Sequence, residues 1–221
     1  MGSAASGPEM TASRRIAEII RARILDGELR PGTRIRQDDL AEELNASRLP
    51  VREALRMLES GGLVTLRSNR GAWVSSLDQH DCELSYTMRE RLEPLLLAES
   101  MGKITADDVN DLRGLQDRIE RSEEVEDFLR LDREFHWLSY RHHNARELAT
   151  IIARLWDTTQ HYRRAYSRLA HHDRRWVINS EHRLLIASIE DGDCEMAQRV
   201  LETHIGRTRR ALRAHPEIFT D

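Results

Sequence analysis

The sequence predicts a mainly α-helical chain in two parts: a small N-terminal helical module closed by a β-hairpin, and a C-terminal bundle of about six helices. Three observations predict it. Within Gln37 to Arg56 (QDDLAEELNASRLPVREALR) a helix, a tight turn and a second helix follow one another. Two short strand-like runs then flank a turn at residues 68–71. From Leu77 onward apolar residues recur at helical spacing with no strand-like alternation.

Composition sets the limits. A chain of 221 residues can hold one large or two small cores, and 33% charged with 5% aromatic residues suits a helical protein in water. No run of about 18 apolar residues is present, and MGSAASGPEM lacks the apolar centre of a signal peptide, so a cytoplasmic protein with no membrane partner is expected. Cys82 and Cys194 stand far apart without zinc or disulfide spacing and read as reduced and structural. The net charge of −4 argues against indiscriminate nucleic-acid binding, so the distribution matters more. From Ala12 to Asp78 there are 12 Arg and Lys against 10 Asp and Glu; from Gln79 onward there are 22 against 27. The first part is the more basic one.

Residues 1–10 are small and polar, an expected disordered tail. Thr11 to Leu25 carries Ile16, Ile19, Ile20, Ile24 and Leu25 at amphipathic spacing and ends at Asp26-Gly27. Arg30-Pro31-Gly32-Thr33 turns the chain into the helix pair. There Leu40, Ala41, Leu44, Ala46, Val51 and Ala54 mark the contact between two crossed helices, and small Ala41 permits their close approach. Asn45 sits where the turn requires a left-handed residue. Ser47 reads as an N-cap whose hydroxyl accepts from the next helix, and Pro50 falls in the first turn, where no donor is required. Arg48, Arg52 and Arg56 then form one row on the second helix, which suits the DNA major groove, where arginine bonds guanine or clamps phosphates. Strands at Leu63 to Arg67 and Ala72 to Ser76, joined through Ser68-Asn69-Arg70-Gly71, make a hairpin with Arg70 at its tip. The arrangement is a winged helix-turn-helix over residues 11–76, joined without a flexible linker to residues 77–215.

The bundle reads as helices at Asp78 to Met101, from Thr105, Glu123 to Tyr140, Ala145 to Tyr166, Asp173 to Glu190 and Asp193 to Ala214. In the first, Leu84, Met88, Leu92, Leu95 and Leu96 make one apolar stripe; Thr105 to Asp108 resembles a capping box. LDREFHW puts Asp132 and His136 four residues apart on one helical face. His182 lies ten residues before Gly192 and His204 twelve after it. If those helices are antiparallel, both histidines stand roughly 15 to 18 Å from the turn and come level. Asp132, His136, His182 and His204 can therefore form a site for zinc or another divalent transition metal, nickel and manganese included. His161 falls on the helix facing this site, as a candidate effector contact. The remaining histidines, among them His142, His143, His171 and His172, read as surface or helix-end residues.

IAEIIRARILDGELRPGTRIRQDDLAEELNASRLPVREALRMLESGGLVTLRSNRGAWVSSL resembles the winged-helix domain of the GntR family of bacterial transcription factors, most specifically in PGTRI, SRLPVREAL and the NRGAWV that follows GLV. RERLEPLLLAES, LDREFHW and EHRLLIASIEDGDCEMAQRVLETH are similar to the FCD ligand-sensing domain of its FadR-type branch, and the likeness spans about residues 14 to 213. The resemblance implies a homodimer that binds a palindromic double-stranded DNA operator and releases it when a small carboxylic acid occupies the bundle. It implies that Ser47, Arg48 and Arg52 contact DNA, with Arg70 and Gly71 at the wing tip. Leu49 stands in place of a frequent threonine and Asp38 in place of an arginine of the fatty-acid-responsive branch, while Arg36 is placed to substitute for one of them. Asp132, His136, His182 and His204 match the metal ligands of metal-containing relatives, and Arg89 matches a pocket position able to pair with an acid. Two other classes of function fit less well. A metal-dependent hydrolase would need a placed general base and an oxyanion stabiliser, for which no motif is found. An effector-free DNA-binding dimer would have little use for four facing ligands.

Overall fold

The computed structural model describes residues 11–67, 71–169 and 175–220. The tail at 1–10, the hairpin turn with Arg70, and His171, His172 and Asp173 lie outside them. The chain divides into two compact units, with the boundary in sequence between Ser76 and Leu77.

In the first unit, α1 (Ala12–Leu25) is capped by Thr11, whose hydroxyl accepts from the Arg14 amide, and buries Ile16, Ala17, Ile20 and Ile24. Ile19 does not join them: at 100° per residue it lies well off the centre of that group, and it is 40% exposed. Next come β1 (Arg34–Ile35), α2 (Gln37–Glu43) and α3 (Arg48–Ser60). Asn45, between the two helices, has φ +47°, the left-handed conformation expected of it. Ser47 occupies the N-cap position of α3 with extended backbone, but its side chain makes no capping bond, contrary to expectation. Strands β2 (Val64–Arg67) and β3 (Gly71–Val74) pair antiparallel, with Arg67 opposite Gly71. The hairpin is thus shorter than the sequence suggested. A third strand went unforeseen: β1, two residues long, pairs with the other edge of β3, with Arg34 opposite Trp73. Two residues carry too little alternation to signal a strand.

The second unit contains six α-helices among the described residues: α4 (Gln79–Met101), α5 (Ala106–Arg121), α6 (Val125–Ser139), α7 (Arg146–Leu169), α8 (Arg175–Glu190) and α9 (Cys194–Arg213), followed by a 3-10 turn at Pro216–Phe219. The capping box of α5 is present in both directions: Thr105 N–H donates to Asp108 Oδ2 at 2.8 Å, and Asp108 N–H to Thr105 Oγ1 at 3.2 Å. Helix α4 packs on α9 and α7, α5 on α6 and α8, and α8 on α9. Of the expected stripe of α4 only Leu96, with Leu92 in part, faces the core; Leu84, Met88 and Leu95 are 44–51% exposed. The buried face of α4 carries Cys82, Tyr86, Arg89, Glu93, Leu96 and Leu97. Charges inside that face explain the misreading: Arg89 pairs with Glu93 at 2.6 Å, and Glu90 with Arg209 of α9 at 2.5 Å. Gly206 allows that approach, for a Cβ there would lie 3.2 Å from the Glu90 carboxylate. Both cysteines are free thiols, and burial pushes Cys82 up to about 12.

Candidate metal centre and nucleic-acid interface

Three helices bring together the four sequence-predicted ligands. Asp132 and His136 come from α6, one turn apart; His182 comes from α8 and His204 from α9. The α8–α9 connection is the tight turn Asp191-Gly192-Asp193, with Gly192 at φ +69° and Asp193 capping α9 by accepting from the Met196 amide. That turn levels the two histidines, whose rings lie 4.9 Å apart; His136 lies 5.2 Å from His182 and 5.1 Å from His204. One ligand atom from each of the four residues falls within 4.8 Å of the others.

Each histidine is oriented by a residue that the sequence did not single out. His182 Nδ1 is 2.7 Å from Gln116 Oε1, while the Gln116 amide nitrogen donates to Glu120 and Asn179. That fixes the amide and makes His182 Nδ1 the donor, which leaves Nε2 as an inward lone pair. Likewise His204 Nδ1 donates to Glu181 Oε2 at 2.8 Å, and Glu181 is gripped by Arg207. Against the upward push of burial, Arg207 and His204 hold the Glu181 carboxyl down to about 2. His136 Nδ1 faces the Tyr140 hydroxyl at 3.4 Å; that hydroxyl donates to Glu93 at 2.9 Å, and Glu93 is paired with Arg89. Gln116 and Glu181 stand 66 and 23 residues from their histidines and are revealed only by spatial proximity, whereas Tyr140 is one helical turn from His136.

The inward atoms are short of partners. Asp132 Oδ1 and His182 Nε2 are buried without a hydrogen bond, and Asp132 Oδ2 makes an ion pair with Arg163 Nη2 at 2.5 Å. Burial pushes His182 down to about 3 and His136 well below its usual value, so both are neutral lone-pair donors. Burial opposes the charge on Asp132, but the Arg163 guanidinium beside it keeps it ionised. Neutral imidazoles and a carboxylate with orphaned atoms turned to one point fit a divalent transition metal, and the outer hydrogen bonds are those that metal-bound histidines carry. Of the two candidate effector contacts, Arg89 is buried against Glu93, and His161 lies on α7 with its ring edge-on to Tyr162; neither belongs to the four-residue cluster.

In the first unit α3 exposes Ser47, Arg48, Leu49, Arg52 and Arg56 along one side while Val51, Ala54, Leu55 and Leu58 fill the core. Arg48 pairs with Asp38 at 2.8 Å and Arg36 with Asp39 at 3.4 Å, all four exposed, so these are loose contacts that a phosphate can replace. Gly71 opens β3 at φ +109°. Beside it Trp73 lies between Arg34 and Arg67, whose guanidinium carbons stand 5.6 and 4.8 Å from the ring centroid. This second basic element was not legible in the sequence; its arginines lie on different strands and meet only through the pairing.

Comparison with known proteins decides the family. Residues 12–74 match "Bacterial regulatory proteins, gntR family" and residues 84–207 match "FCD domain". A regulator in the unstable DNA locus of Streptomyces ambofaciens is 30% identical over 207 residues, 90% of this chain and 86% of its own length. The chain belongs to the gntR family and carries an FCD domain. It is a DNA-binding transcriptional regulator and not an enzyme. The HTH-type transcriptional repressor RspR of Escherichia coli K12 is 23% identical over 93% of this chain and 91% of its own. The solved structure of E. coli McbR/YncC, 21% identical, superposes with a TM-score of 0.82 over 92% of this chain and 97% of that one, a likeness of fold. FCD domains commonly bind metal, and regulators of this family are often dimers. No helix among the described residues is long and apolar enough to cross a membrane.

Proposed function

We propose that this regulator is a homodimeric repressor that leaves a palindromic operator when a small carboxylic acid enters a metal-containing pocket in residues 77–215. Residues 11–76 bind DNA through Arg36, Ser47, Arg48 and Arg52, and through Arg70 and Gly71 at the wing. Its place of action is the cytoplasm. The observation that carries the reading is the convergence of Asp132, His136, His182 and His204 with orphaned inward atoms. A bound divalent ion, zinc in the first instance and nickel or manganese otherwise, would supply a Lewis-acid anchor for the acid. The chain does the rest. Gln116, Glu181 and Tyr140 orient the histidines, and neutral His136 and His182 offer lone pairs without losing protons first.

Arg89 enters through the Glu93–Tyr140–His136 chain, so an acid that disturbs His136 acts on α4, the helix that follows the DNA-binding unit in sequence. His161, from α7, is the further candidate effector contact. An acid favouring the arrangement that does not bind DNA shifts the population by no more than its differential affinity. Dimerisation is assigned to the exposed stripe of Leu84, Met88 and Leu95 on α4, an apolar face that water disfavours. The testing experiment is a fluorescence titration of a labelled fragment from upstream of the protein's own gene, across a panel of small carboxylic acids with and without chelator. Salt-dependent binding abolished by one acid, and insensitivity to that acid after chelation, is the expected result. Release that is indifferent to chelator overturns the metal's part.

A further inference from the structure

The outward side of α3 is not uniformly basic. Arg48, Arg52 and Arg56 lie along it, all exposed, and Leu49 stands among them with 55% of its surface open to water. Its direction decides what it can meet. Val51, Ala54, Leu55 and Leu58 are buried and define the inward side of the helix. At about 100° per residue, Leu49 falls roughly opposite the centre of that group, nearer to the outward pole than Arg48 or Arg52. Those two arginines lean to one flank, and on the other flank Glu53 accepts from the Ser13 hydroxyl of α1 at 2.6 Å.

A side chain at the outward pole of a helix in the major groove meets base edges, whereas side chains on the flanks reach the phosphate strands. Leu49 is also the second residue of α3, and the N-terminal residues of such a helix are the ones that contact bases. Pro50 beside it fixes the backbone of that first turn, so the side chain projects from a held position. Leucine carries no donor and no acceptor. Pressed against a polar base edge it would strip water without replacing the hydrogen bond. One group that the bases present in the major groove is apolar, the 5-methyl of thymine.

We propose that Leu49 is a specificity-determining residue: it packs against the 5-methyl group of a thymine in the operator and, by the same contact, rejects a polar edge at that position. The assignment rests on α3 being the helix that reads DNA, and it adds an apolar base contact to the arginines of that helix.

The test begins with DNA duplexes selected from a random pool by the full-length protein. In the selected operator each thymine is replaced singly by deoxyuridine, which removes the 5-methyl and leaves every hydrogen-bonding atom in place. At one position, or at one position and its symmetry mate, wild type is expected to bind about fourfold more weakly for each methyl lost. Leu49→Ala binds the thymine operator more weakly than wild type and no longer distinguishes uracil from thymine there. Arg52→Ala weakens binding to both and keeps the difference. In a repeat of the selection, Leu49→Gln is expected to lose the preference for thymine at that position. If no replacement changes wild-type affinity, or if Leu49→Ala keeps the full sensitivity, Leu49 does not read the methyl, and α3 remains the reading helix. If Arg48→Ala and Arg52→Ala both bind as tightly as wild type, α3 is not the reading helix and this inference falls with that reading.

Discussion

Each inward histidine has a nitrogen for an ion only because another side chain takes its second nitrogen. Gln116 performs this for His182, and its own amide is held by Glu120 and Asn179. Gln116→Leu keeps the bulk and removes the acceptor, so metal affinity is expected to fall by about 10- to 100-fold in competition with a chromophoric chelator. Equal affinity would show that His182 is fixed by packing alone, for instance by its stacking on Phe135 at 4.3 Å. His182→Ala, which removes the ligand itself, costs more metal than Gln116→Leu does. The same logic applies to DNA. Arg48 and Arg52 are exposed, so replacing either with Ala leaves the fold unchanged. Operator affinity falls, and the slope of log K against log salt drops by about one for each phosphate that the variant no longer neutralises. Asp38 works against binding, since it pairs with Arg48 at 2.8 Å and brings a negative charge beside the DNA-facing row. Asp38→Ala is therefore expected to tighten DNA binding, most visibly at low salt; weaker binding would mean that Asp38 positions Arg48 and does not restrain it.

Among the elements, legibility followed how local the deciding interaction is. The α2–α3 turn was readable because one residue, Asn45, takes the left-handed conformation, and the start of α5 because Thr105 and Asp108 cap each other across three residues. Asp132 and His136 were readable through the helical repeat, and His182 with His204 through their similar distances from Gly192. Three things were not legible. Strand β1 exists only because β3 offers it an edge. The outer partners Gln116, Glu181 and Tyr140 are far from the ligands or unremarkable in type. The facing of α4 was only partly readable because its core side carries Arg89, Glu90 and Glu93, charged residues that pair inside the bundle, while Leu84, Met88 and Leu95 point to water. That inversion yields a prediction. An apolar stripe left outside while charges are buried inside suits a face covered by a second copy of α4. Leu84→Asp combined with Leu95→Asp is expected to convert the dimer to a monomer in sedimentation equilibrium with its helical content unchanged. A double variant that stays dimeric would place the interface elsewhere.

For the whole molecule the candidate metal centre links stability, ion binding and pH, and the sign follows from which state holds more protons. Burial keeps His182 down to about 3 and His136 well below the ordinary value near 6.5. Between about pH 3 and pH 6.5 the unfolded chain thus binds protons that the folded chain refuses, and the metal-free protein loses stability as pH falls through that window. Asp132 and Glu181 act in the same sense at lower pH: their folded values are depressed, so their contribution is present above the unfolded carboxylate values and disappears as pH falls below them. Urea midpoints of chelated protein should be lower at pH 5.5 than at pH 7.5. An ion that binds only the folded state adds about 2.7 kcal/mol at a hundredfold excess over its Kd. How that increment varies with pH separates this site from an exposed histidine cluster. Three freely titrating imidazoles would lose about tenfold in affinity each per pH unit below 6.5, roughly a thousandfold together. Here two of the three are already neutral in the folded protein, so cobalt affinity measured at pH 6.5 and 5.5 is expected to fall by no more than about tenfold. A steeper loss would mean that His136 and His182 take up protons before the metal arrives, and that the pocket is open to water in the state that binds it.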